Sequence, residues 1–131
     1  MSFQYSAIGD NTPENRDHLE KIGFTMSMVT MDKALYLKTQ TNGKYYETNK
    51  DDWSKVIINC IGNPALFKAV TSMRDDSDKW QFFVHEDGSF VFCDQGELKH
   101  VIDNEYMYQE YAVSEFHKAT LSELQAHFKR V

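Results

Sequence analysis

The chain has 131 residues, 41% apolar and 26% charged, with two prolines and six glycines; this excludes fibrous and disordered classes and suits a single domain, residues 1–131, with one ordinary core. Fourteen Lys and Arg against twenty Asp and Glu leave a formal charge of −6, which repels a phosphate backbone and argues against nucleic acid as a partner. The start, Met1-Ser2-Phe3-Gln4-Tyr5, has no leader character, and no apolar run approaches the roughly 20 residues of a membrane helix, so a cytoplasmic protein with no membrane partner is expected.

A first extended segment, Phe3 to Ile8, is expected to end in a turn at Gly9-Asp10-Asn11. Thr12 then reads as an N-cap, with Pro13 at the first helical position and Glu14 at the positive end of the dipole. Leu19 and Ile22 form the apolar stripe and Gly23 the stop. From Phe24 the period becomes two, with Phe24, Met26 and Met28 alternating with polar residues as in a half-buried strand. The run Ala34 to Gln40 places Leu35 and Leu37 on one face, and Asn42-Gly43 leads into Lys44-Tyr45-Tyr46, predicting a hairpin. Val56 to Ile61, nearly all apolar and β-branched, suggests a central strand.

Asn63 and Pro64 repeat the cap syntax of Thr12 and Pro13. They open a helix with Leu66, Phe67, Val70 and Met73 on its buried side, expected to end near Arg74-Asp75. Trp80 to Val84 and Ser89 to Cys93 flank Glu86-Asp87-Gly88, a second hairpin. Helix followed by hairpin thus occurs twice, as coincidence or as a degenerate duplication. Glu97 to Ala112 fits neither period and reads as mixed helix and loop. Thr120 with Glu123 forms a capping box for a last helix striped by Leu121, Leu124 and Phe128. The expected fold is α+β: a mainly antiparallel sheet with two hairpins packed against two to four helices.

No constellation demands chemistry, so no catalytic residue, cofactor or metal ligand is assigned. The histidines at 18, 85, 100, 117 and 127 show no metal-ligand spacing. Asp75-Asp76-Ser77-Asp78 resembles a calcium loop superficially, but Trp80 stands where such a loop needs its glycine. Cys60 and Cys93 lie in apolar runs and read as buried thiols. Cys93 and His85 share a hairpin but are offset along it, against a nucleophile and base. Neither Gly9-Asp10-Asn11-Thr12 nor Ile61-Gly62-Asn63-Pro64 exceeds a capped helix start as a phosphate cradle. Tyr106, Tyr108 and Tyr111 could stack bases, but Asp103, Glu105 and Glu110 beside them point to packing or a protein interface.

Three stretches, Asn11 to Phe24, Asn63 to Phe67 with Met73 to Phe83, and Phe116 to Phe128, together resemble small uncharacterised proteins of Bacteroides-type gut bacteria and their phages or integrated mobile elements. The resemblance implies a mobile-element setting and no catalytic residues. Within these motifs the polar stretch Arg74, Asp75, Asp76, Asp78, with neighbouring Trp80, is the one whose charges the core does not require, and it is the candidate interaction surface. The leading expectation is a protein-binding module, acting on another protein or on itself through an aromatic surface rimmed with acids. The alternative is a hydrolase-like or nucleotide-binding enzyme whose site is assembled from Asp75, Asp76, Asp78 and a histidine.

Overall fold

A computed structural model describes residues 3–27, 33–49, 57–94, 96–105 and 112–129. The first strand, β1 (Ser6–Asp10), runs through the expected turn at Gly9. The reason is packing: a Cβ on Gly9 would overlap the ring of Phe67, so glycine lets the second helix close directly onto β1. Helix α1 (Pro13–Lys21) starts as its sequence dictates, the Thr12 hydroxyl accepting from the Asn15 amide at 3.1 Å.

Strands β2 (Thr25–Met26), β3 (Tyr36–Thr39) and β4 (Lys44–Thr48) follow, with β3 and β4 antiparallel. Phe24 and Leu37 are buried, but Met26 is exposed and so is Leu35, which precedes β3. Of the two positions expected to face inward with them, Met26 lies on β2, the outermost strand, and Leu35 lies just outside the start of β3; Met28 falls outside the described residues.

Strand β5 (Ile57–Asn59) corrects the expectation of a central strand. The sheet order is β2-β4-β3-β1-β5, so β5 is an edge strand, parallel to β1, with Ile57 and Ile58 half-buried and Asn59 exposed. Its β-branched residues suit extended backbone without needing cover on both faces.

Helix α2 (Pro64–Thr71) is capped by Asn63, and it stops short of the expected Arg74-Asp75. Beyond it the backbone turns to other segments: Ser72 O accepts from Gln81 Nε2 at 2.6 Å and Met73 O from Gln4 N at 3.0 Å. Strands β6 (Gln81–His85) and β7 (Phe90–Cys93) form the second hairpin. Both hairpins close through three residues ending on a glycine at positive φ, Gly43 at 85° and Gly88 at 90°.

Helix α3 (Leu98–Glu105) supplies the helical part of the mixed segment, whose remainder from 106 to 111 falls outside the described residues. A strand not anticipated, β8 (Phe116–Lys118), pairs with β6, giving a second sheet of order β7-β6-β8. Helix α4 (Leu121–His127) carries the Thr120–Glu123 capping box. The architecture is α+β with mainly antiparallel pairing. Among the described residues no helix is long and apolar enough to cross a membrane.

Helix α2 is the hub, packing on β1, α1 and α4. Phe67 and Val70 are wholly buried within a core shared with Ala7, Leu19, Leu37, Val84 and Leu124. The three-stranded sheet has two apolar faces. One carries Phe83, Val91 and Cys93 against Leu98, Val101 and Ile102 of α3, while the other turns Phe82, Val84 and Phe90 toward the α2 core.

Candidate functional site

Between α2 and the second face of the three-stranded sheet lies a cleft of about 260 Å³. Its helical wall is His18 of α1 with Ala65, Lys68, Ala69 and Ser72 of α2 and its cap, and its aromatic wall is Trp80, Phe82, Phe92 and Phe128. The small side chains Ala65 and Ala69 leave the volume that the rings then border. Phe82 holds the aromatic wall together, its ring 4.9 Å from that of Phe92 and 5.4 Å from that of Phe128. Phe92 is 42% exposed, an unusual state for phenylalanine inside a strand.

Trp80 reaches the cleft through a backbone irregularity. Gln81 N donates to Asp78 O at 3.1 Å, closing a turn with Trp80 at its third position and φ at +64°. Trp80 N donates to Cys93 O at 2.6 Å although Gln81 is the residue paired with Cys93, so two residues oppose one in a β-bulge. That turn position favours glycine or asparagine, and a bulky side chain in the left-handed region costs of order 1–2 kcal/mol. Part of the cost is offset by packing of the indole against the core. Lys79 lies over the indole with its ammonium 4.3 Å from the ring centroid.

The imidazole and hydroxyls of the helical wall are committed to each other. His18 Nε2 is 3.1 Å from Thr71 Oγ1 and 3.3 Å from Ser72 Oγ. Those hydroxyls donate to Phe67 O at 2.7 Å and Lys68 O at 2.6 Å, so they accept from the ring and place its proton on Nε2. Burial, reinforced by the Lys68 charge, lowers the His18 pKa from 6.5 to about 4. A neutral donor facing hydroxyls whose protons are already given away is not a base for a serine nucleophile.

The stretch singled out in the sequence divides. Trp80 lines the cleft; Arg74, Asp75, Asp76 and Asp78 do not. Arg74 forks onto Asp76, Nε to Oδ1 at 2.5 Å and Nη2 to Oδ2 at 2.8 Å, and these bonds lower the Asp76 pKa to about 2. Asp75 accepts from the Gln4 amide. Asp78 Oδ2 accepts from the Leu98 amide at 3.2 Å, at the start of α3. Lys118 Nζ ties the loop down through Arg74 O at 3.2 Å and Ser77 O at 2.8 Å. The charges that the core does not require are thus used to fasten the loop leading to Trp80. A separate hollow of about 490 Å³ is bordered by Phe3, Gln4, Tyr5, Asp75 and Asp76. Asp75 and Asp76 lie there and Asp78 at the start of α3, whereas the aromatic cleft has Lys68 in its wall and a Trp80 overlaid by Lys79, in place of the expected acids.

Cys60 and Cys93 are buried thiols with no disulfide, and burial pushes the Cys60 pKa up to about 12. Cys93 stands opposite Gln81 rather than His85. His85 instead meets Asp87 (Nδ1 to Oδ1, 3.0 Å) and Glu115 (Nε2 to Oε2, 3.5 Å) at the hairpin tip. Burial opposes its charge, but the two carboxylates outweigh it and raise its pKa. Among the described residues no group of three or more His, Cys, Asp or Glu side chains could hold a metal ion. Tyr106, Tyr108 and Tyr111 fall outside the described residues.

His18, Lys68, Phe82 and Phe92 were not singled out by the sequence as neighbours, and only their meeting across α1, α2 and the second hairpin makes the cleft. The available signal was the run of apolar residues on both faces of the hairpin, which gives each face aromatic side chains to cover. Comparison with known proteins adds nothing to this geometry, since no family model, no curated protein and no solved structure matches the chain.

Proposed function

We propose that the chain is a non-enzymatic protein-binding module whose cleft receives a bulky apolar side chain of a partner. The observation that carries this reading is the open aromatic wall, in which Trp80 is held in a costly backbone conformation at the cleft beside a half-exposed Phe92. Buried aromatic contacts centred on one pocket dominate binding energy in protein interfaces. At about 260 Å³ the cleft falls below the ~300–1,000 Å³ usual for small-molecule sites and suits an anchoring side chain. The committed hydrogen bonds of His18, Thr71 and Ser72 leave its helical wall without a general base or an activated hydroxyl. An accessory role in a phage or mobile element is the setting suggested by the sequence resemblance.

Selection from a display library of random peptides provides the test, run in parallel on the wild-type chain and on Ala65→Tyr, which fills the cleft from its helical wall. Enrichment of peptides with a large apolar residue, lost on Ala65→Tyr, supports the proposal. Selection of the same peptides by both proteins, or of none by either, contradicts it.

A further inference from the structure

Strand β7 ends its sheet, and no described strand pairs with its outer edge. His85 N donates to Ser89 O at 2.8 Å and Phe83 pairs with Val91, so Ser89 and Val91 turn their backbone groups toward β6. Alternation then directs the N–H and C=O groups of Phe90 and Phe92 outward. Across the same sheet Ala119 N donates to Phe82 O at 2.8 Å, as this alternation requires. The outward backbone of Phe92 and the open cleft wall therefore belong to one residue.

A strand added at this edge would place the residue opposite Phe92 on the same face of the sheet. Its side chain would prolong the row formed by Phe82 and Phe92 over the cleft, and residues two positions away would share that face. Lys68 in the cleft wall and Lys79 over the Trp80 indole select what those neighbours should be. Lys68 and Lys79 are both exposed, and neither is in an ion pair with a described carboxylate.

We infer that the partner binds as an extra β-strand along the outer edge of β7, presenting a large apolar side chain opposite Phe92 and a carboxylate two positions away toward Lys68 or Lys79. This rests on the protein-docking reading of the cleft and adds the mode of attachment and the partner's chemistry. Main-chain hydrogen bonds to Phe90 and Phe92 supply affinity, while the cleft and the two lysines supply selection.

The probe is a seven-residue threonine peptide with phenylalanine at its centre and glutamate two positions to either side, added to the full chain labelled with 15N. On saturation the amides of Phe90 and Phe92 should exchange about tenfold or more slowly, while that of Val91, already bonded to β6, changes little. The double variant Lys68→Glu, Lys79→Glu should weaken this peptide about tenfold while sparing its glutamine counterpart. Binding that perturbs Trp80 but leaves the Phe90 and Phe92 amides exchanging freely overturns strand addition and preserves the docking reading. Failure of the probe at millimolar concentration, with library-selected peptides that bind through a large apolar residue but carry no carboxylate two positions from it, overturns the inferred chemistry alone. Protection of Phe90 and Phe92 without peptide, together with a concentration-dependent dimer, assigns the edge to a second copy and overturns the inference. Loss of all peptide selection removes the docking reading itself.

Discussion

The two faces of the three-stranded sheet are built from similar residues and end differently. On one, Phe83, Val91 and Cys93 are sealed by Leu98, Val101 and Ile102 of α3. On the other, Val84 is buried and Phe90 stacks on His127 at 4.0 Å, but Phe82 and Phe92 continue past α4 into the open cleft. An aromatic ring is thus core or binding surface according to whether a helix reaches it, and α2 leaves room by presenting Ala65 and Ala69.

The contrast breaks most sharply under truncation. Leu98→Ala on the sealed face should cost about 2–5 kcal/mol, because a wholly buried leucine leaves a cavity. Phe92→Ala on the open face should cost only about 1 kcal/mol, since much of that ring is already in water. Urea unfolding of both variants measures the difference, and equal losses would mean that the cleft is closed in solution.

Acid separates the two regions by sign. His18, in the cleft wall, has a folded pKa of about 4 against an ordinary 6.5, so between these values the unfolded chain takes up a proton that the folded chain refuses. Stability should therefore fall as pH drops from about 6.5, by up to about 3 kcal/mol near pH 4. His18→Gln should flatten that part of the urea-midpoint profile. His85, at the hairpin tip, is shifted upward by Asp87 and Glu115. Its contribution is present below the ordinary histidine range and lost as pH rises through the raised value, a slope that His85→Gln should remove. An NMR titration of the ring protons resolves both histidines, and a His18 titrating near 6.5 would contradict its burial.

A smaller effect sharpens the view of Trp80. Trp80→Gly relieves the left-handed strain while losing indole packing, so stability should change by no more than about 1 kcal/mol even though the aromatic wall is removed. A larger loss in thermal or urea unfolding would make the indole a core residue first.

Capping syntax carried much of the fold into view. Thr12-Pro13, Asn63-Pro64 and Thr120 with Glu123 are local codes, and each starts the helix it announced. The Asn42-Gly43 and Asp87-Gly88 hairpins are local in the same sense. Strand β8 escaped because Phe116-His117-Lys118 is too short for periodicity and is extended by its pairing with β6. The edge position of β5 escaped because composition reports propensity for extension, not the number of neighbours. Of the candidate site, Trp80 was legible as a bulky residue beside a polar loop, but the structural use of the acids around it was not. Their partners, Gln4, Leu98 and Lys118 among them, lie far along the chain, so their structural use becomes visible only on folding.

The most direct measurement is the indole emission of Trp80 in a Trp53→Phe chain titrated with the phenylalanine-centred glutamate peptide. A saturable shift in that emission, absent when Ala65→Tyr is added, is the expected result. Emission that stays unchanged while the peptide binds elsewhere, or a shift that Ala65→Tyr leaves intact, would show that the cleft is not where a partner docks.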